Sequence, residues 1–187
     1  GKRKGSIAIY LEPWHGDIFD FLKAMRKHGD EEILVKDLFY ALWIPDLFMN
    51  CVKNNKNWYL MCPNQCPGLS DKYGENFNKL YFSYVDEGKY LKKVPARDIW
   101  NEITKSQIES GMPYICYKDA INEKSNQKNI GTIKSSNLCS EIVEYSDDKE
   151  YAVCVLSSIC LPNFLEPQFV PKGKLYTISN CNWCKLL

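Results

Sequence analysis

The sequence predicts an α/β domain with buried strands. Short apolar runs bounded by turn residues, at 6–11, 113–117 and 151–156, read as strands that lack the alternation of a half-exposed sheet. Between them lie segments with apolar residues at helical spacing, and helix–strand alternation is the pattern that puts helices on the faces of a sheet. At 187 residues the chain is long enough for one domain with a sizeable core and too short for two large ones.

Charge and composition narrow the classes further. The 24 Lys+Arg nearly balance 23 Asp+Glu, so neither a nucleic-acid footprint nor a membrane-surface patch is expected. The apolar runs fall far short of membrane-spanning length, and the N-terminus has no apolar signal core. Nine cysteines at irregular spacing then read as reduced thiols of a cytoplasmic protein rather than a disulfide framework.

The elements follow in order. Gly1-Lys2-Arg3-Lys4-Gly5 is a basic segment framed by glycines, where Arg3 could hold a phosphate or a base. It leads into the strand Ser6–Leu11. Asp17 is a plausible N-cap for a helix carrying Phe19, Leu22 and Met25 on one face, running towards His28 with Gly29 as its stop. His15 is expected to be structural, and with two histidines a His-rich metal centre is set aside. Residues 37–54 read as a largely apolar helical region that Pro45 kinks or splits. Cys62-Pro63-Asn64-Gln65-Cys66-Pro67-Gly68 reads as a rigid turn, with no histidine at zinc-ligand spacing, so no metal site is expected. Residues 71–93 suggest a surface excursion with a short helix near 77–84. Pro95 opens a helix through Trp100, Ile103 and Ile108, and Gly111 closes it. Beyond the strand at 113–117, residues 118–131 form a long polar loop with three asparagines, a type often functional. A turn at 146–150 precedes the strand 151–156. Cys51, Cys116 and Cys160 are expected in the core.

One stretch carries the chemistry: Ser135-Ser136-Asn137-Leu138-Cys139-Ser140-Glu141. If it is extended, Asn137, Cys139 and Glu141 share one face and bring an amide, a thiol and a carboxylate to one small volume. A buried cysteine beside two surface polar groups is the plainer alternative.

Several segments resemble the large, catalytic subunit of class I ribonucleotide reductases of the eukaryotic and viral type. They are Ala8-Ile9-Tyr10-Leu11-Glu12-Pro13-Trp14-His15, residues 37–49, Met61-Cys62-Pro63-Asn64, Tyr117-Lys118-Asp119, Lys124-Ser125-Asn126-Gln127, residues 131–139 and Glu141-Ile142-Val143-Glu144-Tyr145. The resemblance covers residues 2 to about 165 and implies part of a ten-stranded α/β barrel, from a specificity loop to a central finger loop. Residues 166–187 form a divergent end. It further implies that Cys139 becomes a thiyl radical that takes the 3′ hydrogen of a ribonucleoside diphosphate. Glu141 would be the base on the 3′-OH, Asn137 its hydrogen-bonding partner, and Cys154 one of two thiols that deliver reducing equivalents. Lys2 and Arg3 would lie in the specificity loop, which relays the identity of an effector nucleotide to the substrate base. Val155 stands where the family usually has asparagine.

By the same resemblance, the radical comes from a metal/radical cofactor on a small subunit, with ATP or deoxynucleotide effectors and magnesium on the full large subunit. Thioredoxin or glutaredoxin supplies electrons, the large subunit is a homodimer, and no metal is held by this chain. The partner of Cys154, a tyrosine pair and further barrel strands are not among these residues, so the piece by itself is expected to be inactive. Cys181 and Cys184 resemble the thiols of the family's mobile reducing tail, but that tail belongs far further along the family's chain, so a divergent or frame-shifted end is the preferred reading and an electron shuttle the alternative. A reading from another class is a non-catalytic thiol-rich module that binds nucleotide or zinc through Cys62, Cys66, Cys181 and Cys184.

Overall fold

Three parallel strands run through the centre: β1 (Ala8–Leu11), β2 (Phe39–Ile44) and β5 (Tyr114–Tyr117), in the spatial order β1-β2-β5. The structure is a computed structural model that describes residues 2, 4–26 and 38–160. Helix α1 (Ile18–Ala24) follows β1, and α2 (Asp46–Lys53) follows β2. The strands β3 (Asn57–Leu60) and β4 (Lys92–Pro95) pair antiparallel as a second sheet, with α3 (Gly74–Asp86) between them. Helices α4 (Ala96–Ser110) and α5 (Lys118–Lys124) flank β5 in sequence. Residues 1–152 form one compact unit and 153–187 a second. Of the second, residues 153–160 are described, and they are exposed and without regular structure.

Register sorts the side chains of the central sheet, because partners across a ladder share a face and neighbours along a strand do not. Tyr10 lies opposite Ala41, and Trp43 opposite Cys116. One face therefore carries Tyr10, Ala41, Trp43 and Cys116. The other carries Leu11, Tyr40, Leu42, Ile44 and Ile115, and packs with Ile18, Leu22, Phe48, Ile99 and Ile103 of the helices. Side chains as enclosed as Leu42, Ile44 and Phe48 each contribute about 1.5–3 kcal/mol by leaving water.

The strands at the first and third apolar positions of this sheet, and the helix from Pro95 to Gly111, match expectation. Gly111 ends α4 at φ 80°, a left-handed cap with its amide bonded to Gln107 O at 2.9 Å. Asp17 stands at the N-cap of α1 but makes no side-chain cap, and α1 ends at Ala24; His28 and Gly29 lie outside the described residues. Residues 39–44 are a strand rather than helix. Six apolar residues in a row suit a strand buried on both faces, and the residue before Pro45 is pushed towards extended backbone. Pro45 then starts α2 instead of kinking a longer helix.

The stretch 71–93 is more than a surface excursion. Phe77 and Tyr81 of α3 are fully buried, Tyr81 stacks on Trp58 at 4.5 Å, and Phe48 meets Trp58 edge-on at 5.2 Å. The Tyr81 hydroxyl donates to Tyr59 O (2.9 Å) and accepts from Tyr59 N (2.7 Å), and burial pushes its pKa far up. Ile108 is the exception on α4: it is 81% exposed while Ile103 is buried. The strand expected at 151–156 is absent; Tyr151, Val153 and Val155 are exposed, and an apolar run gains a strand only where another offers it hydrogen bonds. Cys51 and Cys116 are buried as expected, whereas Cys160 is exposed.

The polar stretch after β5 departs furthest from expectation. Its first half is α5, and Lys118, Asp119 and Asn122 are buried. Lys118 Nζ donates to both carboxylate oxygens of Glu12 (3.0 and 2.9 Å) and to Leu69 O (2.9 Å), and lies 4.7 Å from the centre of the Phe77 ring. Glu12 also accepts from Trp14 Nε1 at 2.7 Å. Asp119 accepts the first amide of α2 (Asp46 N, 2.8 Å) on one oxygen and that of α3 (Gly74 N, 2.9 Å) on the other. One carboxylate thus caps two helices that have no cap of their own. Polarity points to a loop here, but polar groups that find partners when buried can sit in a helix.

Burial raises the Glu12 pKa and lowers that of Lys118, each opposed by the other's charge. Lys118→Met removes the opposing charge from a buried carboxylate. A loss of about 3–5 kcal/mol is expected at neutral pH by urea denaturation. The loss should shrink as pH falls towards the ordinary carboxylate range: with Glu12 raised above its unfolded value, the folded state prefers the protonated form. Adding Glu12→Gln should recover part of the loss, and a double variant as unstable as the single one contradicts the pairing. Asp119→Ala should cost about 1–3 kcal/mol through two lost caps, with Asp119→Asn in between; equal stability of all three would contradict a shared cap.

Candidate active site

The segment carrying the candidate residues is tied down at both ends. On the approach, Asn122 treats Ile133 as a strand neighbour would. Its Oδ1 accepts Ile133 N at 2.7 Å, and its Nδ2 donates to Ile133 O at 3.0 Å and to Lys118 O at 2.9 Å. Thr132 Oγ1 donates to Asp71 O at 2.8 Å, and Lys134 forms an ion pair with Asp71. On the exit, Gln127 Oε1 accepts Tyr145 N at 2.6 Å. A Cβ at Gly131 would lie 2.2 Å from the Tyr145 ring, so a side chain there would oblige that ring to move. The turn after it forms as expected, with Asp147 accepting from Lys149 N (2.8 Å) and Glu150 N (2.7 Å).

Between these anchors the chain is a turn rather than an extended strand. Residues 138–140 reverse direction, and Ser140 sits at φ 67° in the left-handed region. The period-two convergence of Asn137, Cys139 and Glu141 therefore does not form, because no neighbouring strand holds this segment extended. What brings Asn137 and Glu141 together is the turn itself. Asn137 Oδ1 accepts both Glu141 N and Ile142 N at 3.1 Å, and Ser136 Oγ donates to Ile142 O. With both lone pairs of Oδ1 engaged, a hydrogen bond from Asn137 to a ligand can come only from Nδ2. Cys139 is an exposed free thiol at the head of the turn, and Glu141 is exposed beside it in sequence.

The turn lies against the sheet face that bears Tyr10, Trp43 and Cys116. Trp43, Cys116 and Ile133 form a small core there, joined by Tyr10, Ile121 and Tyr145. The Tyr10 hydroxyl is 2.6 Å from Asn137 O and 3.0 Å from Ser140 Oγ, and its ring meets Trp43 edge-on at 6.0 Å. Burial raises the Tyr10 pKa against the hydrogen bonds from Ser140 and Ser136, so the phenol keeps its proton near neutrality. Burial likewise raises the Cys116 thiol, opposed by a hydrogen bond with Ser140. Sequence reading missed Tyr10, Trp43 and Ser140 as parts of the site. The alternation along β1 could have set Tyr10 apart from its apolar neighbours, but nothing local says which sheet face the turn would meet.

The other candidates lie elsewhere. Cys154 is exposed within the second unit instead of in a buried strand. Lys2 is exposed without regular structure, and Arg3, Cys181 and Cys184 lie outside the described residues. Cys66 is buried and its thiol donates to Lys89 O at 3.1 Å, with burial raising its pKa, which suits packing better than metal binding. Among the described residues no group of three or more His, Cys, Asp or Glu side chains could hold a metal ion, and no helix is long and apolar enough to cross a membrane. His15 makes a local contact, its Nδ1 accepting from Asp17 N at 3.1 Å.

Comparison with known proteins adds the family. The model of the ribonucleotide reductase barrel domain matches residues 1–181. A ribonucleoside-diphosphate reductase large subunit of Plasmodium falciparum (isolate Dd2) is 59% identical over 181 residues, which are 96% of this chain and 22% of that protein. One of Arabidopsis thaliana is 56% identical over 171 residues, covering 91% and 21%. One of Caenorhabditis elegans is 56% identical over 190 residues, covering 100% and 24%. The chain thus spans about a fifth of the length of these curated relatives. A parallel sheet with helices on one face and an anchored cysteine turn on the other fits a segment of such a barrel, and the chain belongs to the ribonucleotide reductase barrel-domain family.

Proposed function

We propose that this chain supplies the cysteine turn of a ribonucleoside-diphosphate reductase large subunit, which reduces ribonucleoside diphosphates to deoxyribonucleoside diphosphates for DNA synthesis. One observation carries the reading: in a chain of this family, Cys139 is an exposed thiol on a turn anchored at both ends over a parallel sheet. Cys139, as a thiyl radical, takes the 3′ hydrogen of the substrate. Glu141 accepts the 3′-OH proton, a role open to an exposed carboxylate within reach of a bound ligand. Asn137 holds the turn through Oδ1 and offers Nδ2 to the substrate. Cys154, exposed and free, is one of the thiols that supply two electrons and end as a disulfide.

The remaining roles belong to the complete enzyme. A metal/radical cofactor on a separate small subunit supplies the oxidising equivalent. Lys2 and Arg3 belong to a loop that couples bound ATP or deoxynucleotide effectors, held with magnesium, to the choice of substrate base. Thioredoxin or glutaredoxin restores the thiols, and the large subunit works as a homodimer in the cytoplasm. In this reading the three parallel strands are part of a ten-stranded barrel. Among the described residues no strand pairs with the outer sides of β1 and β5, and the chain alone should show no turnover.

The test is a chimera. Residues 1–165 replace the matching segment of a complete large subunit from a relative, and cytidine diphosphate reduction is measured with small subunit and thioredoxin. Turnover is expected, and Cys139→Ala should abolish it. Glu141→Gln should lower kcat by about 10²-fold or more, the usual scale for losing a general base. A folded chimera without turnover, or turnover that survives Cys139→Ala, defeats the proposal.

A further inference from the structure

Ser140 is a non-glycine residue held at φ 67°, immediately after the exposed Cys139. Such backbone persists only where surrounding contacts over-determine it. The contacts come from β1. Tyr10 lies 3.0 Å from Ser140 Oγ and 2.6 Å from Asn137 O, one on each side of Cys139. Counting protons orders the chain of bonds. The Tyr10 hydroxyl has one proton and gives it to Asn137 O at 2.6 Å. Ser140 must then donate to the Tyr10 oxygen. Three groups thus point one way: Ser140, Tyr10 and the carbonyl of Asn137. Each donor is used once, and such chains strengthen their members. Tyr10 is the member that grips the turn on both sides of Cys139, at Asn137 and at Ser140. Its ring is fixed in turn by the edge-on contact with Trp43.

We infer that Tyr10 and Ser140 are positioning residues that clamp the Cys139 turn to the sheet and fix where its thiol stands. Neither touches substrate. This role rests on the reading of Cys139 as the reacting thiol, because the clamp matters to rate only if the position of that sulfur does. Displacing a reacting atom by about 1 Å can cost on the order of 10²-fold in rate.

The test uses the chimeric large subunit and three variants: Tyr10→Phe, Ser140→Gly and the double variant. Phenylalanine keeps the ring on Trp43 and removes only the hydroxyl. Glycine relieves the left-handed backbone and removes only the hydroxyl, so it should be harmless if conformation alone matters. Amide hydrogen exchange across residues 137–145 should speed up by about fivefold to tenfold in each single variant, the scale of one hydrogen bond. The kcat for cytidine diphosphate should fall by about tenfold or more, with KM within about twofold. The double variant should cost no more than the worse single one, since both hydroxyls belong to one chain of bonds. Unchanged exchange in Tyr10→Phe and Ser140→Gly overturns the clamp, and additive losses in the double variant overturn its unity. Faster exchange with an unchanged kcat shows a turn that is held but not positioned for chemistry, and overturns the positioning role. If the parent chimera has no turnover, the reading of Cys139 falls, and exchange still decides whether the clamp exists.

Discussion

The contact between Lys118 and Glu12 is the constraint on which the rest depends. It joins the end of β1 to the start of α5, and through Leu69 and the Phe77 ring it reaches the segment before α3 and α3 itself. An ammonium without solvent is tolerated only because every proton it carries meets an oxygen. The next residue, Asp119, fixes the starts of α2 and α3, and one turn later Asn122 fixes the approach to the cysteine turn. A seven-residue helix with no apolar stripe thus sets the relative placement of two helices, a strand and the candidate active site.

That dependence explains what could be read from the sequence and what could not. The strand at 8–11, the strand at 114–117 and the helix opened by Pro95 were legible because each carries its own signal: a bounded apolar run, or a proline and a glycine at the right ends. β2 was not, because a strand buried on both faces and a buried helix look alike when every residue is apolar. The β3–β4 pair depends on partners more than thirty residues apart, and no tight turn announces it. α5 was hidden for the opposite reason, since its polar residues face inward to partners that are far away in sequence.

The candidate site divides in the same way. Asn137, Cys139 and Glu141 are singled out by residue type and by family resemblance, and of these the family is borne out by the comparisons. Their conformation was not, because an extended stretch needs a ladder and this one has side-chain anchors instead. Asn137 illustrates the difference: its side-chain oxygen serves two backbone amides, as a neighbouring chain would in a sheet. Ser140 carries no signature in one dimension and Tyr10 only its place in the alternation of β1, for their meaning arises where the turn lands on the sheet.

Asn122 carries a consequence for the lifetime of the molecule. Its amide gives Ile133 a donor and an acceptor from a single side chain, and this is possible only while nitrogen and oxygen remain distinct. Hydrolysis to aspartate, the ordinary chemical ageing of asparagine, would set an oxygen against the carbonyl of Ile133 and turn a two-point joint into a repulsive one. Its place in α5, with both amide atoms hydrogen-bonded, holds the side-chain carbonyl away from the attack of the next backbone nitrogen through which asparagine ages. In newly made or transiently opened chains the same atom is unprotected, and damage done there would remain as a molecule whose cysteine turn has lost its first anchor.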